Sequence, residues 1–463
     1  MPIRQRRYRR QSAMHKPKPK LKRLMGEAVK PGVARSALDD WLERIERQRP
    51  DAIELGLERT AVVAERLGVL QPAPRVITVG GTNGKGSCVA FLEHMLHGVA
   101  RTGSYTSPHL LRYNERIRID GQAVADQDIV AAFEVVERAC SDTYLTYFEY
   151  GTLAALLLFV QNKVDIALLE VGMGGRLDAV NVVDADVAVI TSIDIDHQEW
   201  LGPDREAIGR EKAGIARRGR PFICADPKPP QSLVTAVKNT GAQGIYIGSP
   251  GFRCTMGENT IDIESRLNGG QLKHYTAVPK PELPLPSGLC ALQALNCLDL
   301  SPQLATLRRT FGETRLPGRQ QRYLLGQGQV LLDVAHNPAA TQRLAQKVAT
   351  LSAEGQVRRV IALFAALVDK DVSGMIAPML PLVDVWQVAQ LSGVSRAMPV
   401  DELARHVRIG GASAQVYRDV ESACAGVLQQ FVSGDLLVVF GSFHTVGEVM
   451  GVLDNCAEGI REI

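Results

Sequence analysis

The sequence predicts an α/β fold built as two units in tandem, each a parallel sheet covered by helices. Three observations carry this expectation. Apolar runs at 75–79, 165–171, 186–191 and 220–224 alternate with helical patterns at 87–97, 126–139 and 151–162. A glycine-rich turn follows the first run directly, and a second strand–helix series begins near residue 329. Strands that are apolar throughout need both faces covered, which a helix-flanked parallel sheet provides. A chain of 463 residues also exceeds what one core usually supports.

In chain order, Asp39-Asp40-Trp41-Leu42-Glu43-Arg44-Ile45-Glu46 has helical apolar spacing, and a second helical pattern over 57–68 stops at Gly68. The strand at 75–79 runs into the glycine turn, and a short strand is expected at 103–106. From 225 to 290 the pattern loosens into Gly/Pro-rich stretches with short alternation, as in Thr260-Ile261-Asp262-Ile263. Leu316-Pro317-Gly318-Arg319 turns a corner, and the second series follows: 329–334, a helix near 339–351, then 358–364, 383–389 and 435–440. The domain boundary is therefore placed near residue 312.

Composition narrows the class. No apolar stretch approaches the roughly 20 residues that cross a bilayer, and the hydrophobic share of 45% is that of a globular chain. Eight cysteines without metal-ligand spacing read as reduced thiols of a cytoplasmic protein. The net charge of +3 hides an asymmetry: residues 1–23 hold ten Lys/Arg and no acid, leaving 43 basic against 50 acidic residues elsewhere. Residues 1–30 read as a disordered basic extension or a start assigned upstream of Met14 or Met25; contact with nucleic acid or membrane is the competing reading and is not expected.

The turn Gly80-Gly81-Thr82-Asn83-Gly84-Lys85-Gly86-Ser87 holds the parts phosphate binding needs. Glycines let backbone N–H groups close on anionic oxygens, the next helix offers its N-terminus, and lysine adds a point charge. Val79 stands where the general pattern has Gly, and the hydroxyl of Ser87 arrives one residue late. Other polar groups lie beyond strand ends, where open α/β sheets hold ligands: Ser107, Glu170, the Asp194-Ile195-Asp196-His197 run, Asp333 through Asn337, and Ser442. A buried Glu170 is either a magnesium-side carboxylate or half of an ion pair. His197 reads as functional or as a hydrogen-bonded structural residue, and Ser442 as a site residue or a helix cap. On composition alone, Lys212 is a solvated face residue of a charged helix.

Together these segments resemble the folate branch of the Mur-type amide ligases, the bifunctional dihydrofolate synthase/folylpolyglutamate synthases. The likeness runs from about residue 37 to about 452. It is carried by Ile53–Arg59, Gly81–Ser87, Ser107-Pro108-His109-Leu110, Leu145–Thr152, Glu170–Asn181, Asp196–Gly202, Arg210–Ile215, Leu316–Arg319, Asp333–Pro338 and Gly441–Val446. The resemblance implies a P-loop parallel-sheet ATPase domain, which also binds the pterin, over 31–312. A smaller Rossmann-like glutamate ligase domain is implied over 313–463. It implies a monomer that uses ATP and Mg²⁺ to join L-glutamate to 7,8-dihydropteroate and reduced folates through an acyl phosphate. The alternatives are a ligase with only the polyglutamylating activity, a cell-wall Mur ligase, and a non-catalytic nucleotide-binding protein.

Residue by residue, the resemblance implies that Asn83, Gly84, Lys85, Gly86 and Ser87 hold the triphosphate. It assigns nucleotide contacts to Ser287, Arg319, Asp333, His336 and Asn337. Ser107, Glu170, His197 and Lys212, the last as a carbamate, match metal ligands, which reverses the compositional reading of Lys212. Lys85, His197 and Lys212 match the catalytic set. Thr146, Tyr147, Phe148 and Glu149, with Leu177, Asp178 and Ala179, match pterin contacts. Two departures stand out: Ser287 replaces a common ATP-contacting Asn, and Ala365 replaces the glycine of a Gly-x-Leu-x-Asp-Lys-Asp segment.

Overall fold

A computed structural model describes residues 36–48, 55–248, 250–355, 357–455 and 460–463. The basic extension and Ile53-Glu54 lie outside the described residues. Eight strands form the first sheet: β1 (Arg75–Gly80), β2 (Thr102–Tyr105), β3 (Ile117–Ile119), β4 (Gln122–Ala123), β5 (Ile166–Glu170), β6 (Val187–Ile190), β7 (Pro221–Cys224) and β8 (Gln243–Tyr246). Their spatial order is β4-β3-β2-β5-β1-β6-β7-β8, parallel from β2 to β8, with β3 and β4 folded back antiparallel at one edge.

The physical reason is visible strand by strand. In β1, Val76 packs into the core on one face, while Ile77 and Val79 pack on the other; Ala167 and Leu169 of β5 likewise oppose Ile166 and Leu168. A period of two with both phases apolar requires two covers. Helix Tyr147–Asn162 fills one face, and helices Lys85–Leu96 and Leu285–Cys297 fill the other. Ser287 through Cys297 are all buried, so this last helix is apolar all round and its pattern gives no periodic signal.

A three-stranded antiparallel sheet follows: β9 (Arg253–Met256), β10 (Thr260–Arg266) and β11 (Leu272–Pro279), in the order β11-β10-β9. The alternation at Thr260–Ile263 belongs to β10, whose Ile261 and Ile263 face the core. The second large sheet holds β12 (Gln321–Leu325), β13 (Gly328–Leu332), β14 (Arg359–Phe364), β15 (Val385–Ala389), β16 (Ala414–Tyr417), β17 (Asp435–Phe440) and β18 (Ile460–Glu462). Its order is β16-β15-β14-β17-β13-β12-β18, with β12 antiparallel to both of its neighbours, β13 and β18, and the other pairs parallel. It has its own core.

The two sheets present the carboxyl ends of β1, β5, β6 and of β13, β14 to one cleft, because residues following these strands touch across it (below). The helix near 126–139 is found as Asp126–Cys140, and that near 339–351 as Pro338–Ala353. The first is bounded by Ser141 at φ 53, the second capped by the Asn337 side chain.

Candidate active site

β1 delivers the glycine loop, and its geometry follows from steric need. Gly84 sits at φ +86 as the residue before helix Lys85–Leu96, and a Cβ there would lie 2.5 Å from the Ser287 hydroxyl. Ser287 Oγ itself donates to Gly84 O at 2.9 Å. The loop is fastened to the segment after β6. Thr82 N donates to Ser192 O (2.8 Å), Asn83 N to Ser192 Oγ (3.0 Å), and Thr191 Oγ1 to Asn83 O (2.7 Å). Lys85 Nζ folds back on Gly81 O and Thr82 O at 3.2 and 3.3 Å. The amides that open the following helix have no intrahelical acceptor, which makes this an anion site.

Glu170 ends β5 and is buried; Ser107 reaches it through its backbone N–H at 3.2 Å. Burial raises the Glu170 carboxyl, against the pull of Lys85, the Ser107 amide and Arg319. Ser87 Oγ is buried with no hydrogen-bond partner, and a Cβ on neighbouring Gly86 would lie 3.6 Å from Glu170 Oε2. A buried carboxylate beside an unsatisfied hydroxyl and a phosphate loop is a hard-oxygen donor set, which fits magnesium. Among the described residues no group of three or more His, Cys, Asp or Glu side chains gathers as a metal cage. The sequence-derived ligand set contains only two such residues, Glu170 and His197, so magnesium there would keep phosphate and water ligands.

Lys212 corrects the compositional reading: it is 3% exposed, near the end of helix Arg205–Ala213. Burial first, and then the charge of Lys85, lower its ammonium to about 7. His197 stands at φ 53 after β6, and burial lowers its imidazole to about 4, so a neutral ring faces the site at neutral pH. Glu170, His197 and Lys212 each lie within the field of Lys85.

From the second sheet, Arg319 stacks on Phe443 at 4.7 Å, and its buried Nη1 has no partner. Asp333 accepts the amides of Gln320 (3.0 Å) and Ala335 (2.8 Å), and His336 donates Nδ1–H to Val334 O (2.9 Å). Asn337 exchanges amide hydrogen bonds with Asn83 at 3.1 and 3.0 Å and donates to Asp196 Oδ2 at 3.1 Å. Lys370 Nζ donates to Asp196 Oδ1 at 2.7 Å. Burial alone would raise the Asp196 carboxyl, but His197, Lys370 and His336 around it hold it well below the usual carboxylate range. Ser442 caps the final helix by accepting from Thr445 N at 3.0 Å. A cavity of about 730 Å³ lies in the cleft, lined among others by Gly86, Ser107, Glu170, Leu316, Arg319 and Phe443.

The residues matched to pterin contacts border the other side of β5. Thr146 caps helix Tyr147–Asn162, while Glu149 returns to Thr146 N at 2.7 Å and also accepts from Arg59 (3.1 Å) and Thr60 (3.0 Å). The rings of Tyr147 and Phe148 pack against Tyr113 and Tyr105 at 5.8 Å each. Asp178 accepts from Met173 N (2.8 Å) and Val180 N (3.0 Å), and burial raises it to about 6. Leu177 is half-buried and Ala179 buried on the same loop. Sequence reading gave no contact to the residues that fasten these groups, notably Arg59, Thr191, Ser192 and Lys370; Thr191, Ser192 and Lys370 are signalled by position beyond a strand, and Arg59 and Lys370 lie in segments that carry the resemblance.

Two family profiles match the chain: Mur ligase middle domain over residues 79–251, and Mur ligase, glutamate ligase domain, over residues 318–443. A dihydrofolate synthase/folylpolyglutamate synthase of Escherichia coli (strain K12) is 42% identical over 422 residues, covering 91% of this chain and 96% of the relative. The solved structure of E. coli FolC in complex with DHPP and ADP is 40% identical with a TM-score of 0.84, covering 90% and 98% of the two chains. A bifunctional folylpolyglutamate synthase/dihydrofolate synthase from Yersinia pestis CO92, complexed with AMPPNP and Mn ion, is 42% identical with a TM-score of 0.83 over the same shares.

Proposed function

The chain belongs to the dihydrofolate synthase/folylpolyglutamate synthase family of Mur-type ligases, and from that membership we infer an ATP-dependent ligase and assign its steps to residues. It joins L-glutamate to 7,8-dihydropteroate, forming dihydrofolate, and to reduced folates, forming polyglutamates. It uses ATP and a divalent metal. No helix among the described residues is long and apolar enough to cross a membrane; we place the enzyme in the cytoplasm.

An acceptor carboxylate oxygen attacks the γ-phosphorus of ATP, and the bond to the ADP oxygen breaks. The amino group of L-glutamate then attacks the acyl-phosphate carbonyl, phosphate departs with the acceptor's oxygen, and the amine gives up its proton. The first step brings two anions together, so positioned dipoles and cations must carry it. Residues 31–312 supply ATP and pterin binding in this reading, and residues 313–463 the glutamate ligase domain.

Lys85 and the amides of Gly84, Gly86 and Ser87 cradle the β- and γ-phosphates, and Asn83 shapes the loop through its bonds to Ser192 and Asn337. Ser287, Arg319, Asp333, His336 and Asn337 border the nucleotide; Arg319 Nη1, buried and unpaired, is the donor available to it. Ser107, Glu170 and His197 would hold Mg²⁺, with Lys212 joining them once its neutral amine has added carbon dioxide and released one proton to solvent, leaving a carbamate anion. Magnesium, when bound, neutralises phosphate charge and orients the γ-phosphoryl group. Thr146–Glu149 and Leu177–Ala179 orient the pterin, stacking it on rings that the Thr146–Glu149 cap and the Asp178-bound loop hold still.

The observation that carries the reading is a glycine loop with Lys85 at the end of β1, backed at Gly86 by the buried Glu170, in a chain that also buries Lys212. The test is incubation with Mg-ATP, L-glutamate and either dihydropteroate or tetrahydrofolate, with products read by mass. Glutamyl addition with ADP release is expected; addition to neither acceptor refutes the assignment.

A further inference from the structure

Asp196 is one of the points where the two units meet, beside the Asn83–Asn337 amide pair and the packing of Leu110 on the second core. Its carboxylate is 7% exposed and accepts from Lys370 Nζ of the C-terminal unit at 2.7 Å and from Asn337 Nδ2 at 3.1 Å, besides its own neighbour His197 N at 2.9 Å. Lys370 is 6% exposed at its side chain, with Asp369 a second acidic neighbour at 3.5 Å. Asn337, in turn, trades both amide hydrogen bonds with Asn83 at the tip of the phosphate loop. One buried ion pair and one reciprocal amide pair thus tie the C-terminal unit to the phosphate loop and to the segment carrying His197.

We propose that Lys370 and Asn337 form an interdomain clasp on Asp196 and Asn83, which closes the cleft and sets the phosphate loop and His197 in register. Lys370 is a positioning residue here, acting through Asp196. The inference deepens the ligase reading and rests on it for the catalytic consequence, while its structural consequence stands alone. A desolvated pair is strong only with both partners in place, and separating the domains leaves Asp196 without its cation. The open state must rehydrate both charges and both amides, so the balance between open and closed cleft depends on these four side chains. Asn337 also links the clasp to local fold: its Oδ1 accepts Ala340 N at 3.0 Å and caps helix Pro338–Ala353.

The test compares the full-length wild type with Lys370→Met, Lys370→Arg and Asn337→Ser. Serine keeps the helix cap while removing the amide donors, so Asn337→Ser stays informative if Lys370→Met folds poorly. Spin labels carried by unnatural amino acids at exposed Asp142 and Ile409 report interdomain distance in the presence of Mg-AMPPNP. The expected result is one closed distance for the wild type, and a longer, broader distribution for Lys370→Met and Asn337→Ser. The closed-to-open ratio falls roughly a hundredfold for Lys370→Met, kcat falls with it, and Lys370→Arg restores part of both. A wild-type distance distribution in Lys370→Met and Asn337→Ser overturns the clasp, even if turnover is lost. A wild type that ligates nothing sinks the ligase reading instead, and the distance measurement still decides the clasp.

Discussion

Lys212 sits in the field of Lys85, and the two lysines have opposite fates. Lys85 is folded onto the carbonyls of Gly81 and Thr82, whereas Lys212 is buried and lowered to about 7 by burial and by Lys85. Burial, aided by the nearby Lys85, thereby gives Lys212 a share of neutral amine near pH 7, the form that reacts with carbon dioxide. Lys212→Ala is expected to abolish turnover, with no rescue by added bicarbonate, and ¹³C-bicarbonate is expected to give a carbamate carbon signal in the wild type alone. A fully active alanine variant contradicts the carbamate role.

The same shift makes a stability prediction with a defined sign. Below about 7 both folded and unfolded chains protonate Lys212, and the burial penalty is fully present. Between about 7 and the ordinary 10.5 the unfolded chain alone holds the proton, so this group's penalty shrinks as pH rises. Lys212→Met is therefore expected to be more stable than the wild type near pH 7, with the advantage fading toward pH 10. Denaturant titrations across that range check it.

Glu170 lies behind the phosphate loop, 3.6 Å from where a Cβ on Gly86 would stand. Glu170→Gln keeps the shape and removes the charge; it is expected to lower kcat a hundredfold or more and to raise the magnesium concentration needed for half-maximal rate. Binding of an ATP analogue without metal is expected to change little. Calorimetry with and without Mg²⁺ separates the two.

Asp178 holds the loop after β5 by accepting two backbone amides. Asp178→Ala leaves Met173 N and Val180 N without that acceptor, costing about 1–3 kcal/mol. The acceptor KM is expected to rise for dihydropteroate and tetrahydrofolate alike, with the ATP KM nearly unchanged. Initial-rate kinetics with each acceptor measure this.

In the second sheet, Arg359 grips the buried carboxylate of Asp435 at 2.9 and 2.5 Å. Asp435→Ala also strips Val432 N of its acceptor. It is expected to lower stability by about 2 kcal/mol and the melting point by several degrees, with no effect on nucleotide binding to the first unit. Scanning calorimetry reads the difference.

The sheets were legible because their strands are apolar in both phases: 75–79, 166–170 and 435–440 cannot be anything half-exposed. Helix Leu285–Cys297 was not, since a helix buried all round has no amphipathic period. The edge strands β8 and β16, and β12 beside the edge strand β18, are short and partly exposed, so their sequences carry little signal. Within the candidate site, the placement of residues at or beyond a strand's carboxyl end was legible: Ser107, Glu170, His197 and Asp333. Lys212 was not, because a lysine in Arg210-Glu211-Lys212 is solvated in most chains; only tertiary burial, or the resemblance, makes it otherwise. The Asp196–Lys370 pair joins residues 174 positions apart, and nothing local in a sequence encodes such a contact.

The central claim is that the acceptor carboxylate is phosphorylated before glutamate attacks it. Dihydropteroate carrying ¹⁸O in its carboxylate, incubated with Mg-ATP and L-glutamate, tests this most directly. Transfer of one ¹⁸O from the acceptor to inorganic phosphate, with ADP as the nucleotide product, is the predicted result. Phosphate free of ¹⁸O, or label appearing in AMP, would contradict it.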